Sequence, residues 1–400
     1  MKILFYRYKS ICEPDLTAAF QKLGIEVVEM QAPSLYNACH PKEAPITMAQ
    51  SLEQVSRCCR ENMFLFVFSV NFFPELSDLC NIMQIPYVGW TVDAPVIELF
   101  SPSLSNPCNR IFLFDYAQYE FFKERNPGNI FYLPLASNVE RMVKTIEANH
   151  NLGQVNFSAD VSFVGSLYTE KNPYEKIQGM SDYTRGYVDG LMRTQSNVYG
   201  CNFLRESLND AVMEEFLRLV PDLSNPLYKE NLDPRYVMAN DFISMQMAAD
   251  ERLRLLSVVS EEFALDLYTA SNPFSLPKAD FKGVADTFTE MPLIFHCSGI
   301  NLNITLRAIQ TGLSLRIFDV LACGGFLLTN YQSELPSMYE LQNEVETFCS
   351  QEELLDKIRY YLAHDTERNK IAANGFRRTL QEHTWSHRLT KMIQILNQSL

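Results

Sequence analysis

The sequence has no segment dense in lysine and arginine. Acidic residues outnumber basic ones by 48 to 34, and the formal net charge is −14 at pH 7. DNA and RNA attract proteins mainly through clustered positive charge, which this chain does not offer. The sequence therefore predicts that nucleic acid is not a partner.

The cysteines and histidines follow no metal-binding or disulfide pattern. The chain has 10 cysteines but no Cys-x-x-Cys pair, and its 6 histidines form no cluster. Structural zinc sites and small disulfide-rich domains depend on such spacings. We expect no metal site, and free, buried thiols in a reducing cytoplasm.

Long apolar runs are also missing. The most apolar stretch, 63–73, is interrupted by Ser69 and Asn71 and is shorter than the ~20 residues that a membrane-spanning helix needs. The N-terminus leads directly into a predicted apolar strand, so we expect no signal peptide. We expect a cytoplasmic protein with no transmembrane segment.

Several catalytic motifs are absent from the sequence. It contains no Gly-x-x-x-x-Gly-Lys-Ser/Thr loop, no nucleophile elbow and no Asp-x-Asp. The first two motifs are typical of P-loop nucleotide hydrolases and α/β-hydrolases. The sequence therefore gives no support to either of these classes.

The sequence does contain a regular alternation of short apolar strands with helices. This pattern is typical of right-handed βαβ units and a mostly parallel sheet, and a length of 400 residues favours two domains. We predict an α/β fold with two Rossmann-like domains, at 1–145 and 156–384. A C-terminal helix at 385–400 is expected to complete the first domain. A largely helical insertion is predicted at about 170–245, and the polar segment 140–158 is expected to link the domains.

The segment 301–330 is the most informative part of the chain. It is predicted to form a strand, a polar loop containing Gly312, a short helix, a glycine stop and a second strand. Ligands of open α/β sheets bind beyond the carboxyl ends of the strands, and a helix N-terminus suits a phosphate. Thr311, Gly312 and Ser314 offer donors for such a phosphate; alternatively, they cap the helix.

Arg316 and Asp319 lie on one face of this short helix, three residues apart. One interpretation is that they pair with each other. In the other, Arg316 meets a phosphate and Asp319 accepts hydrogen bonds from a ribose diol. The helix is otherwise apolar, so a carboxylate there needs a partner, and this favours the second interpretation for Asp319.

The same residues resemble the nucleotide-sugar signature of group 1 glycosyltransferases, which have two Rossmann-like domains in the GT-B architecture. The similarity is greatest to the spore-maturation-protein-like branch, and it extends to Ile85–Pro95 and to the tail through Arg388. In the family this helix carries a Glu, seven residues and a second Glu, before an Ala-Cys-Gly type ending. Here Thr311 stands at the first position and Asp319 at the second.

A second part of the resemblance begins after the strand near residue 160. The family commonly has Gly-Arg, four residues and Lys here, and the two cations hold the donor diphosphate. Lys171 stands at the Lys position, although alone it also fits a solvated loop lysine. Ser166 stands at the Arg position, so Arg316 or Arg307 is expected to supply the missing charge.

Asp93 follows a predicted strand in Trp90-Thr-Val-Asp93-Ala-Pro95. A carboxylate in this place can orient or deprotonate an acceptor hydroxyl. Alternatively, Asp93 caps the turn that follows it.

The resemblance implies a glycosyltransferase that takes a sugar from a nucleotide-sugar donor, with a UDP-sugar favoured. The acceptor, on the N-terminal domain, is left open as a glycan, a protein or a small molecule. The family implies retention of the anomeric configuration. Without Asp-x-Asp, we expect Arg316, Lys171 and a helix dipole to neutralise the diphosphate, with no metal and no cofactor besides the donor. The alternative is a non-catalytic nucleotide-sugar-binding or scaffold protein that keeps the fold, which the changes at Thr311 and Ser166 favour.

Overall fold

A computed structural model of the chain describes residues 1–39, 45–220, 223 and 231–399. For residues 150, 171 and 399 the description covers the backbone alone. The chain forms two compact units. Unit 1 comprises Met1–Leu135 and the segment that begins at Trp385, and unit 2 comprises Ala136–Asn225 and Asp233–Thr384.

Unit 1 is built around a parallel sheet. Its strands are β1 (Lys2–Arg7), β2 (Glu26–Gln31), β3 (Val67–Val70), β4 (Tyr87–Trp90), β5 (Asn109–Leu113) and β6 (Ile130–Tyr132). They form a six-stranded sheet in the order β2-β1-β3-β4-β5-β6. Strands β3, β4 and β5 are buried along their whole length, as expected for parallel strands covered on both faces.

The helices of unit 1 follow its strands along the chain. They are α1 (Glu13–Lys22), α2 (Pro33–Cys39), α3 (Met48–Glu61), α4 (Pro74–Met83) and α5 (Tyr116–Phe122), with 3₁₀ turns at Ile97–Phe100, Pro102–Ser105 and Lys123–Arg125. Thr47 and Gln50 form a capping box at the start of α3, which pairs backbone N–H groups that the helix itself leaves unpaired.

Unit 2 begins with the helix α6 (Val139–Asn156) and has its own parallel sheet. Its strands are β7 (Val161–Val164), β8 (Leu265–Tyr268), β9 (Asp280–Gly283), β10 (Ile300–Asn303), β11 (Leu327–Asn330) and β12 (Glu346–Phe348). The six strands lie in the order β12-β11-β10-β7-β8-β9. Apolar side chains of β7, β8, β10 and β11 pack with Leu255, Leu354 and Ile358 in one buried core.

Helices fill the long connection between β7 and β8. They are α7 (Asp182–Ser196), α8 (Leu204–Ser207), α9 (Asp210–Leu219), α10 (Pro234–Val237), the π-helical segment Met238–Ile243 and α11 (Ser244–Glu262), with 3₁₀ turns at Thr169–Lys171 and Tyr174–Lys176. The later helices are α12 (Met291–Cys297), α13 (Leu315–Ala322), α14 (Leu335–Met338), α15 (Gln351–Ala363), α16 (Asp365–Glu382) and, in unit 1, α17 (Trp385–Ser399); a further 3₁₀ turn lies at Pro273–Ser275.

The predicted fold class is confirmed, since both units are α/β with parallel sheets and the second contains a helical insertion. The prediction for 140–158 is wrong, because this segment is the helix α6 and not a link. Its apolar side chains Val139, Met142 and Ile146 are buried, with 2%, 4% and 8% exposure, and the helix packs against α12. The polar composition of the segment suggested a link, because the apolar stripe of the helix is narrow.

The prediction of buried thiols is also wrong for Cys39, Cys201 and Cys349, which are exposed free thiols.

Gly375 in α16 packs closely against Glu344 and Leu321. A substitution at this glycine therefore tests the packing of unit 2. A Cβ at this position would lie 2.3 Å from the carbonyl oxygen of Glu344 and 2.8 Å from Leu321 Cδ2. We predict that Gly375→Ala lowers the free energy of unfolding by about 1–3 kcal/mol through overpacking. The control is Gly190→Ala in α7, where no atom lies within 4 Å of the added carbon and alanine should favour the helix. Equal effects of the two substitutions in urea unfolding would contradict the described packing.

Candidate functional site

Two loops of unit 2 start side by side at the carboxyl ends of adjacent strands. Strand β7 pairs with β10 in parallel, so the residues that follow both strands lie at the same edge of the sheet. We call residues 165–168 the β7 loop and residues 304–314 the β10 loop. The β10 loop leads into the N-terminus of α13. This is the edge at which open α/β sheets bind ligands.

Ser314 is the N-cap residue of α13 by its backbone, but its side chain makes no capping hydrogen bond. Its Oγ is buried and has no hydrogen-bond partner among the described residues. The capping role that the sequence left open for Ser314 is therefore not performed by its hydroxyl. Among the described residues, this helix end therefore offers one buried hydroxyl without a partner.

Arg316, in the first turn of α13, has no acidic partner among the described residues. Its Nη1 atom donates to the sulfur of Met291 at 3.1 Å, and its guanidinium lies 5.1 Å from the centroid of the Phe295 ring. No carboxylate of the described residues lies within ion-pair distance, so the pair with Asp319 that the sequence left open is not formed. Burial lowers the pKa of Arg316, and the charge of Asp319 opposes this shift only in part.

Asp319 bonds to a residue outside its own helix. Its Oδ1 accepts a hydrogen bond of 3.0 Å from the hydroxyl of Ser137, which is 1% exposed. The carboxylate is half-buried. The sequence predicted that this carboxylate needs a polar partner, and Ser137 is one.

Arg307 is buried in the β10 loop and is fully engaged with protein groups. Its Nη2 and Nε atoms donate to the two carboxylate oxygens of Glu251 at 2.9 and 3.2 Å, and its Nη1 donates to the carbonyl of Val198 at 2.8 Å. The hydroxyl of Tyr199 also donates to Glu251, at 2.9 Å. In this arrangement Arg307 holds the β10 loop against α11, and Glu251 is a residue that our sequence analysis missed.

Arg252, the next residue of α11, was missed as well, because it lies in a helix with no recognisable motif. Its guanidinium donates to the carbonyls of Ser166 and, at 2.6 Å, Ile304. It also lies 4.5 Å from the centroid of the Tyr168 ring. Arg252 thus bonds to the start of both loops.

The remaining predicted donor-binding residues lie in or beside the same loops. Thr311 donates to Glu334 at 2.6 Å, and Gly312 is buried. The Ser166 hydroxyl donates to Glu170 at 2.9 Å and accepts from the N–H of Tyr168 at 2.9 Å.

Lys171 ends a 3₁₀ turn beyond the β7 loop. Its side chain lies outside the described residues, so its predicted contact with a diphosphate stays a prediction.

Asp93 belongs to unit 1, where it lies beyond the carboxyl end of β4 and is exposed. Its Oδ2 accepts from the Asn71 amide at 2.7 Å and from the Tyr8 hydroxyl at 3.4 Å. Burial and then the charge of Asp93 raise the pKa of Tyr8, which keeps this hydroxyl a donor. No described residue donates to Oδ1, and no described backbone N–H donates to the carboxylate, so the turn-capping alternative is not observed. One oxygen of an oriented carboxylate is therefore available.

The described part of the chain has neither a cluster suited to a metal ion nor a helix suited to crossing a membrane. No group of three or more His, Cys, Asp or Glu side chains is arranged to hold a metal ion. No helix in this part of the chain combines the length and the apolar character that crossing a bilayer requires.

Comparison with known proteins gives a family match for part of the C-terminal half and structural matches over the whole chain. Residues 252–394 match a protein-family model described as glycosyl transferase-like. No curated protein matches the chain. Among solved structures, sucrose-phosphate synthase from Thermosynechococcus elongatus is similar over 100% of this chain and 98% of that chain, with 10% identity and a TM-score of 0.53.

Two further solved structures show the same likeness. A glycosyltransferase from Rickettsia africae ESF-5 has 8% identity and a TM-score of 0.51 over 100% of this chain and 98% of that chain. The α,α-trehalose 6-phosphate synthase from Burkholderia multivorans has 9% identity and a TM-score of 0.51 over the same shares, 100% and 98%. At these identities the likeness establishes the two-domain α/β fold of GT-B glycosyltransferases. The family match, which covers residues 252–394, agrees with that fold.

The buried pair of Glu251 and Arg307 gives a prediction for the stability of the β10 loop. Glu251→Gln removes the negative charge and leaves Arg307 buried without an ionic partner, so we expect a loss of about 3 kcal/mol in the free energy of unfolding. Glu53→Gln, in the exposed pair with Arg57, is the control and should change this free energy by less than ~1 kcal/mol. Denaturant unfolding measures both, and similar losses in the two variants would refute the structural role given to Glu251.

Proposed function

We propose that the protein is a glycosyltransferase that binds a nucleotide sugar, most favourably a UDP-sugar, at the β7 and β10 loops of unit 2. Transfer goes to an acceptor hydroxyl with retention of configuration and without a metal ion. The acceptor, which is a glycan, a protein or a small molecule, binds to unit 1. Within the glycosyltransferases we assign the chain to the spore-maturation-protein-like branch, which its motifs at Ile85–Pro95 and 301–330 resemble.

One observation supports the donor site above all others. The N-terminus of α13 has a buried hydroxyl at Ser314 with no partner among the described residues and a guanidinium at Arg316 with no ionic partner among them. A helix N-terminus with a free cation and free donors suits an anion. A diphosphate is the anionic part of every nucleoside-diphosphate sugar, so this arrangement fits the donor that the family uses.

The roles proposed for the site residues follow from where charge develops during sugar transfer. Glycosyl transfer passes through an oxocarbenium-like state, and the departing diphosphate gains negative charge. Arg316, Lys171 and the α13 N-terminus would stabilise that charge more in the transition state than in the ground state. Asp319 would accept from the ribose diol, and the available oxygen of Asp93 would orient the acceptor hydroxyl or take its proton.

The first prediction concerns binding without a metal. UDP at a hundredfold excess over its dissociation constant should stabilise the chain by ~2.7 kcal/mol, measured as a rise in melting temperature. The rise should persist in excess EDTA, because protein cations are not removed by a chelator, whereas a bridging magnesium or manganese ion is. A rise that disappears in EDTA and returns with manganese would contradict a metal-free site. No response to any nucleoside diphosphate would refute the donor site itself.

The second prediction separates an enzyme from a scaffold. Arg316→Ala should lower kcat for sugar transfer or donor hydrolysis by at least about tenfold while changing the affinity for the free nucleoside little, because Arg316 meets charge that grows as the diphosphate leaves. Arg359→Ala, which removes an arginine paired at the surface of α15, is the control and should leave kcat unchanged. An unchanged kcat in Arg316→Ala would remove Arg316 from the mechanism. If no donor sugar is ever consumed, the chain binds nucleotide sugars without catalysis.

A further inference from the structure

Asn71 directly follows strand β3 of unit 1 and has a left-handed backbone conformation. Its φ angle is 59°, a value that residues other than glycine seldom adopt and that asparagine tolerates better than most. The main chain is held there from two sides, because its N–H donates to the carbonyl of Trp90 at 2.8 Å and its carbonyl accepts from the Ser69 hydroxyl at 2.8 Å. Backbone conformations of this kind are found most often at functional sites.

The side-chain amide of Asn71 has only one orientation that suits its neighbours. The N–H of Val92 donates to Oδ1 at 3.0 Å, and a backbone N–H can only donate, so the amide oxygen must face it. The Nδ2 group therefore points the other way, where it donates to Asp93 Oδ2 at 2.7 Å and to the Tyr8 hydroxyl at 2.7 Å. The Tyr8 hydroxyl in turn donates to the same Asp93 oxygen at 3.4 Å.

The three residues of this network come from three separate segments of the chain. Strands β1, β3 and β4 are neighbours in the sheet and run parallel, so Tyr8, Asn71 and Asp93 lie at one carboxyl edge. Tyr8 is itself anchored, because its N–H donates to the buried carboxylate of Glu13 at 2.8 Å. The network thus ties three strand ends to a single carboxylate oxygen.

Stability alone does not account for such a network. Asp93 is exposed, and contacts at exposed positions ordinarily contribute little to stability. Both donors meet Oδ2, while Oδ1 has no donor among the described residues. A carboxylate that is fixed through one oxygen presents the other in a defined direction, and an oriented acceptor of this kind suits a hydroxyl group of a ligand.

We propose that Asn71 is a positioning residue, which fixes Asp93 through Oδ2 and so presents Oδ1 to a hydroxyl group of the acceptor. Tyr8 assists as the second donor to Oδ2. Asn71 acts through Asp93, and its amide keeps the carboxylate in place. The identification of the bound hydroxyl with that of an acceptor of sugar transfer rests on the proposed function.

The test measures the release of glucose from UDP-glucose by the full chain, with water in the place of the acceptor. Asn71→Gly keeps the left-handed backbone and removes the amide, so kcat should fall at least about tenfold, because a misplaced group at the reacting centre costs rate steeply. The affinity for UDP, which the proposed function assigns to unit 2, should change by less than about twofold.

The matched control is Gln84→Gly. Gln84 ends α4 with a φ angle of 57° and precedes β4, so it lies at the amino edge of the sheet, away from Asp93. This substitution makes the same backbone change as Asn71→Gly and should leave kcat unchanged.

A second measurement does not depend on activity. In protein labelled with ¹⁵N in its asparagines, the side-chain amide signal of Asn71 is identified by its loss in Asn71→Gly. Since both amide hydrogens donate, they should exchange with solvent at least about tenfold more slowly in the wild type than in Asp93→Ala.

The outcomes separate this proposal from the proposed function. The proposal is overturned if Asn71→Gly keeps the wild-type kcat, if it loses UDP affinity as much as kcat, or if exchange of the Asn71 amide is not slowed. If Asn71→Gly does not fold, Asn71→Asp decides, because it keeps an acceptor for the N–H of Val92 but cannot donate to Asp93; wild-type kcat in that variant overturns the proposal. Slow amide exchange in a chain that consumes no nucleotide sugar would support the positioning of Asp93 and refute the proposed function.

Discussion

The β10 loop depends on buried charge supplied by α11. A loop of eleven residues between a strand and a short helix gains little from packing alone, yet here it is held by the pair of Glu251 and Arg307 and by the hydrogen bond from Arg252 to the carbonyl of Ile304. These interactions lie in the interior, where an electrostatic contact is screened less than at the surface. They anchor the first residues of the loop that leads into α13.

The position of α13 in turn determines the chemistry of the site. Among the described residues, Arg316 in its first turn has no acidic partner and the hydroxyl of the N-cap residue Ser314 has no hydrogen-bond partner, so the helix end keeps the groups that an anion would bind. An isolated protein gains nothing from leaving such groups unpaired in its interior. The cost of these unpaired groups is offset if a ligand completes the site, because the bound donor then supplies the missing interactions.

Much of this arrangement was predictable from the sequence, but not all of it. Strand and helix periodicity predicted the fold class, because apolar spacing reports burial directly. The short polar segment before α13 predicted that the helix begins near Ser314 and that Arg316 lies close to its N-terminus. The roles of Glu251 and Arg252 were not predictable, since they depend on which side chains three separate segments bring together. The helical state of α6 was missed because three apolar side chains are enough to bury one face of a helix that is otherwise polar.

The central claim is that the α13 end of unit 2 receives the diphosphate of a nucleotide sugar. A crystal structure of the chain grown with UDP tests it most directly. Our account predicts phosphate oxygens within hydrogen-bond distance of Ser314 Oγ and of the Arg316 guanidinium, with the ribose hydroxyls at Asp319. A nucleotide bound elsewhere in the chain, with Ser314 and Arg316 making no contact with it, would contradict the account.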